Sequence, residues 1–345
     1  MGRMEGSLAR FIHQYLQLEK TLDYPAADLL RQSWAQEALY ESLFADGAVR
    51  FSPPPRYRLR VLKELLQRIE ASIDDWDEHG VSEDLMSSLT EMLAVRIPPE
   101  TETVQQMDYV TYHLSLLPDP TEDPTPGVPA NCITLRESRG LLAQAGATGF
   151  RTWEAGLHIG QYLCSEPGLV RGKRVLELGA GTGHTSVLCA KYLGAAKVIA
   201  SDGSDEVLAG LADTVFLNGL QGSSVFVPKE LVWGTALLGT EEEKWNGGEE
   251  VDVVLGSDIT YDPTAIPALL ATLDELFNLY PLVQVIISTA ERNVKTLNTL
   301  LDGCRDAGMT VTWIDFDVPK PEEQQGPFYD TSVPIHIVNI KRNDA

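Results

Sequence analysis

An α/β architecture built on a doubly wound, mostly parallel sheet of seven strands is predicted by three features of the C-terminal half. In the first, the apolar stretch Arg174-Val175-Leu176-Glu177-Leu178 runs into Gly179, Gly181 and Gly183, after which a helical pattern opens with Val187, Leu188, Ala190 and Leu193. That is the signature of a buried strand, a tight turn and a helix N-terminus. In the second, strand-like segments alternate with mostly helical ones from Trp153 onward, with strands expected at about 174–178, 197–202, 224–228, 251–256, 283–288, 310–316 and 335–340. In the third, the last two strands close the chain after five alternating units, which suits a sheet whose final strand enters antiparallel.

The N-terminal part reads differently. Residues 5–95 carry helical stripes: Leu8, Phe11, Ile12, Tyr15, Leu16 and Leu18 form one apolar face, and Trp34, Leu39, Tyr40, Leu43 and Phe44 another. Pro53-Pro54-Pro55 breaks the chain, and Tyr57, Leu59, Leu62, Leu65, Leu66, Ile69 and Ile73 resume at helical spacing. Ser82, followed by Glu83 and Asp84, has the chemistry of a helix cap ahead of Leu85, Leu89, Met92 and Leu93. Tyr109 to Leu114 alternates like a strand, and Asn131 to Leu135 suits its return. The acidic, proline-rich stretch 118–129 between them cannot join a sheet. This divides the chain into a helical region (1–105), a hairpin with a proline-rich connection (106–150) and an α/β domain (151–345). The segment 319–334, containing Phe328-Tyr329-Asp330, is long for a hairpin loop, a length that marks either function or disorder.

Composition narrows the function classes. With 345 residues, 43% of them hydrophobic, the chain has enough for a substantial core. No apolar run reaches the roughly 18 residues of a membrane span. The start lacks a signal core, and Gly6 stands where a myristoylation motif needs Ser or Thr. Cys132, Cys164, Cys189 and Cys304 are scattered, as are the six histidines, so reduced thiols, no metal and a cytoplasmic location are expected. Fifty acidic against 27 basic residues give a net charge of −23, which disfavours nucleic acid and anionic membranes and favours a basic partner.

The chemistry gathers at the strand ends, where open α/β sheets bind ligands. The glycine spacing is G-x-G-x-G rather than the G-x-G-x-x-G of a dinucleotide site, and the glycines let backbone approach a ligand. Asp202 ends the next strand, where a carboxylate can accept both hydroxyls of a ribose. Together with Glu177, these features resemble motif I and the ribose acid of the class I, seven-β-strand methyltransferases, which bind S-adenosylmethionine. Trp233 follows the third strand and either covers an adenine or packs in the core. Trp153 precedes the first helix of this domain and either lies over the same crevice or staples the helix entry. Asp258-Ile259-Thr260-Tyr261 ends the fourth strand. There Asp258 either holds a primary amine by charge-assisted hydrogen bonds, with Tyr261 shaping the channel, or caps a helix starting near Pro263.

Phe150-Arg151-Thr152-Trp153-Glu154-Ala155-Gly156-Leu157-His158, the glycine turn and Asp258-Ile259-Thr260-Tyr261 form a series similar to that of the seven-β-strand protein-lysine methyltransferases. Leu135-Arg136-Glu137-Ser138, Phe216-Leu217-Asn218-Gly219-Leu220 and Ser288-Thr289-Ala290-Glu291-Arg292-Asn293 bring the resemblance closest to the enzymes that methylate elongation factor 2. The resemblance implies a Rossmann-like sheet of order 3-2-1-4-5-7-6 and action on that factor; a monomer is expected. It also implies S-adenosylmethionine contacts from Trp153, Glu177, Gly179, Ala180, Gly181, Gly183, Asp202, Trp233 and Ser257, with Asp258 and Tyr261 catalytic. Two departures are the 118–129 insertion and Ser257, where relatives often carry alanine. A methyltransferase for small molecules or nucleic acid on the same fold, and a silent partner-binding fold, remain the alternatives.

Overall fold

The structure, a computed structural model, describes residues 2–97, 107–118, 130–138, 148–238 and 245–343. The proline-rich stretch 119–129 and the pair Gly146-Ala147 lie outside them. The chain forms two compact units, Met1–Leu141 with Gln324–Phe328, and Leu142–Glu323 with Tyr329–Ala345.

In the first unit, helices α1 (Gly2–Leu16), α2 (Ala27–Leu30), α3 (Ser33–Leu43), α4 (Pro55–Ser72) and α5 (Glu83–Ala94) precede a hairpin, β1 (Asp108–His113) and β2 (Cys132–Glu137). Pro55 opens α4, where its fixed φ suits the helix and its missing N–H costs nothing. Ser82 caps α5, its side chain accepting from Leu85 N. Phe11, Tyr15, Leu39, Leu62, Leu65, Ile69 and Leu85 meet in one core. The expected face of α3 needs correction at Trp34, which is 45% exposed. The buried positions Ala35, Leu39 and Leu43 recur at every fourth residue, and Trp34 points about 100° away from them. In the hairpin, Tyr112 donates to Glu137 Oε1 at 2.9 Å, and the hydroxyls of Thr111 and Thr134 bond at the same distance.

Residues 324–328, part of the long segment before the last strand, belong to this unit. The amide of Gln17 donates to Phe328 O at 2.5 Å and accepts from Phe328 N at 2.8 Å, as a neighbouring strand would. Gly326 O accepts from both the backbone N–H (3.1 Å) and the hydroxyl (2.6 Å) of Ser115.

The second unit opens with α6 (Glu154–Ser165) and continues as β3 (Arg174–Leu178), α7 (His184–Val187, followed by a π turn to Tyr192), β4 (Lys197–Asp202), α8 (Asp205–Leu217), β5 (Phe226–Glu230), β6 (Val253–Ser257), α9 (Ile266–Leu279), β7 (Gln284–Ala290), α10 (Val294–Asp306), β8 (Met309–Ile314) and β9 (Ile335–Arg342). The sheet order is β5-β4-β3-β6-β7-β9-β8. Counted from β3 this is the expected 3-2-1-4-5-7-6, with β9 antiparallel to both neighbours. β5 begins two residues later than expected and carries Pro228, tolerated because β5 is an edge strand. Val175, Leu176, Val254, Val285 and Ile287 are buried almost completely, as a parallel sheet covered on both faces requires. The chain leaves β3 for β4 on one side, and β6 returns on the other, which opens a crevice beyond their carboxyl ends.

Gln17→Ala is expected to leave both backbone groups of Phe328 unpaired and to cost about 1–3 kcal/mol. The drop would register as a lower urea midpoint together with faster proteolysis near residue 325. An unchanged midpoint would show that the docked segment adds nothing to the stability of the unit.

Candidate functional site

A cavity of about 590 Å³ occupies the crevice. Its walls include Trp153, Glu177, Gly179, Ala180, Gly181, Asp202, Trp233, Ser257, Asp258 and Tyr261. Of the residues singled out from sequence, Gly183 alone is not among the lining residues. It caps α7 instead, with φ +82°, and a Cβ built there would stand 2.8 Å from Leu211 Cδ2.

The glycines of the turn take the positive φ expected of them, +53° at Gly181. Gly179 has φ +63°, and its Cβ would meet Ile259 Cγ2 at 2.8 Å. At Gly179 and Gly183 glycine is required by left-handed backbone and by neighbouring protein side chains.

Each acid at a strand end finds its own donors. Glu177 is buried and accepts from the Ser186 hydroxyl at 2.5 Å, which ties β3 to the first turn of α7. Burial pushes its carboxyl up to about 7 against the pull of those donors from Ser186 and Thr185. Asp202 accepts from Gly181 N through one oxygen and from Ser204 N through the other, both at 3.1 Å. It therefore fixes the glycine turn as well as facing the cavity, and each oxygen keeps a further lone pair.

Asp258 is buried, with left-handed backbone at φ +55° held by its N–H bond to Ser288 O at 2.8 Å. It caps no helix: α9 starts at Ile266, and the turn before it is bonded by Asp262 to Thr264. Its Oδ1 accepts from Ala290 N at 3.2 Å and its Oδ2 from Arg292 Nη1 at 2.6 Å. The alternative of a helix cap near Pro263 is thus corrected, and the carboxylate already has two donors. Burial pulls the Arg292 guanidinium down, but Asp258 and Glu154 outweigh it and hold the group above its ordinary value.

Trp153 precedes α6 in extended conformation, and its indole N–H donates to Thr148 O at 3.1 Å. The guanidinium carbons of Arg151 and Arg292 lie 5.0 and 5.2 Å from the indole, within cation–π range. The Thr148 hydroxyl donates to Tyr261 Oη at 3.1 Å, and the Tyr261 side chain stands at the rim, 55% exposed. Trp233 lines the cavity and also packs on the sheet core.

Sequence reading missed Arg292, Glu154 and His184. Arg292 lies two residues beyond β7, the strand beside β6, so the rule of strand ends applied one strand further would have found it. His184 opens α7, fully buried, with its imidazole pushed down to about 4 by that burial.

Residues 141–300 match a family model described as Lysine methyltransferase. The chain is 55% identical over 334 residues to the protein-lysine N-methyltransferase EFM3 of Chaetomium thermophilum, covering 97% of each. It is 32% identical to the protein of that name in Saccharomyces cerevisiae, over 52% of this chain and 55% of that one. Identity to the protein-lysine N-methyltransferase EEF2KMT of Homo sapiens is 27%, over 74% and 70% respectively.

Asp202→Ala is expected to weaken S-adenosylmethionine binding more than about tenfold, since bonds to a charged acceptor are worth about 1.5–3 kcal/mol. It should also lower the melting temperature, because Gly181 and Ser204 lose their acceptor. Calorimetry and a thermal melt of one sample check both, and a loss of affinity below twofold would remove Asp202 from the site.

Acid should destabilise this unit. His158 and His184, ordinarily near 6.5, are both pushed down to about 4 by burial. Between those values the unfolded chain binds protons that the fold refuses, so stability is full above about 6.5 and falls toward pH 4. Glu177 acts in the opposite sense: raised to about 7 from 4.5, it favours the fold at low pH, and that advantage is lost between those values as pH rises. With two groups against one, melting temperature should fall from pH 6.5 to pH 4.5, and a flat profile would contradict the burial of the imidazoles.

Proposed function

The chain belongs to the lysine methyltransferase family, and from that premise we propose that its target is a lysine of elongation factor 2. The coarser activity is an enzymatic one: S-adenosylmethionine-dependent N-methylation of protein lysine. Elongation factor 2 is supported by the name EEF2KMT carried by the human relative, and the net charge of −23 suits a partner with a basic surface. Action as a cytoplasmic monomer is part of the same proposal. Among the described residues no helix is long and apolar enough to cross a membrane.

The residues of the cavity fit the methyl donor. Its volume lies within the roughly 300–1,000 Å³ of small-molecule sites, and the free lone pairs of Asp202 face it beside the glycine turn. Asp202 would hold the ribose, with Gly179, Ala180, Gly181, Trp153, Trp233 and Ser257 forming the surrounding wall and Glu177 bracing the turn from below. When bound, S-adenosylmethionine supplies a methyl group carried on a sulfonium. The protein's part is to present the amine. A free lysine has a pKa of about 10.4 and must lose its proton before it can attack. The Tyr261 ring at the rim shields the side chain from water, and Asp258 accepts an N–H so that the lone pair points inward. The observation that carries this reading is the placement of Asp258 at the end of β6, adjacent to β3 and its glycine turn, in one cavity with Asp202.

The test is transfer of labelled methyl groups to purified elongation factor 2, with the modified residue read by mass spectrometry. Asp258→Ala should lose more than about tenfold in kcat/KM, a barrier change of about 1.4 kcal/mol or more, while its donor affinity falls far less than that of Asp202→Ala. Near-normal transfer by Asp258→Ala would exclude the role given to it. Label appearing only in RNA or small molecules would sink the proposed substrate.

A further inference from the structure

The carboxylate placed to meet a lysine already has a cationic partner. Arg292 follows β7 and directs Nη1 to Asp258 Oδ2 and Nη2 to Glu154 Oε2, each at 2.6 Å, with its guanidinium over the Trp153 ring. Three separate segments, the ends of β6 and β7 and the start of α6, converge on one group. Resting on the lysine reading, we propose that Arg292 is a positioning residue for methyl transfer: it locks Asp258 in place and cancels its charge, so that the site receives lysine as the neutral amine.

The chemistry requires such a balance. A lone buried carboxylate would bind the ammonium form by charge-assisted hydrogen bonds and stabilise its proton, leaving nitrogen without a lone pair. Paired with Arg292, Asp258 keeps acceptor capacity for one N–H of a neutral amine, while the adjacent guanidinium disfavours an ammonium. The lysine proton leaves for bulk water. The N–CH₃ bond then forms as the S–CH₃ bond breaks, and positive charge passes from sulfur to nitrogen.

The surrounding groups are balanced too. At the mouth, Arg151 lies 3.7 Å from Glu154, so two guanidiniums face two carboxylates. Tyr261, on the same loop as Asp258, contributes a hydroxyl already bonded to Thr148. Deeper in the cavity Asp202 is bonded to backbone, Glu177 is turned to Ser186, and His184 is held neutral by burial. Among the described residues Arg151 and Arg292 are thus the cations that line the cavity, and Arg292 is the one bonded to Asp258.

The test measures kcat/KM for the full-length protein across pH 6.5–9.5 with its protein substrate, in wild type and three variants. Arg292→Gln should move the rising limb to higher pH by about one unit, equivalent to about tenfold less activity on that limb, and activity should recover at the alkaline end. Arg292→Lys should keep the wild-type limb. Glu154→Gln, which makes the mouth more positive, should move the limb the opposite way and remains informative if Arg292→Gln fails to fold. Donor affinity by calorimetry should stay within about threefold in all three, since none of the substituted groups is assigned to the donor's ribose. Loss of activity by the same factor at every pH, or limbs that do not shift in opposite directions, would overturn the role of Arg292 alone. A wild-type protein that binds donor yet methylates no protein would overturn the lysine reading, and this proposal with it.

Discussion

A carboxylate at the end of a buried strand must find donors, and the cavity edge of this protein meets that requirement three times. Glu177 takes the Ser186 hydroxyl, Asp202 takes the N–H groups of Gly181 and Ser204, and Asp258 takes Ala290 N–H and the Arg292 guanidinium. Each bond joins the end of one strand to a neighbouring segment. The acids that line the cavity therefore also hold its loops in register. Removing any of them disturbs geometry along with charge, so binding, stability and turnover have to be read on the same sample.

The glycines complete that construction from the other side. The left-handed backbone at Gly179 and Gly183 lets β3 turn sharply into α7 while Ile259 and Leu211 close against the turn. Ile259 stands between Asp258 and Thr260, so the segment carrying Asp258 is packed against the glycine turn. This coupling is steric and needs no hydrogen bond.

In the first unit the same economy of hydrogen bonding appears in a different form. At Phe328 the Gln17 side-chain amide supplies both the donor and the acceptor that a neighbouring strand would have offered. A loop of that length is long for a connection between adjacent antiparallel strands, and its incorporation into the helical unit accounts for its length.

The sequence by itself determined the sheet and the strand ends beside which the cavity opens. Period-two and period-3.6 patterns are local properties of the chain, and parallel strands joined by helices have one favoured handedness, so order and direction followed from the pattern with the family resemblance. Strand ends then placed Asp202, Asp258 and the glycine turn at one edge. Only the tertiary structure decided what each side chain does there. Arg292 is distant from Asp258 and Glu154 along the chain, by 34 and 138 residues, and no periodicity marks a pair of that kind. Gly183 reads like its neighbours in sequence yet packs on Leu211 outside the cavity, and Trp34 belongs to an apolar stripe yet faces solvent. Such outcomes depend on which distant surfaces meet, and ion pairs and packing are settled by distance in space, which the order of residues does not specify.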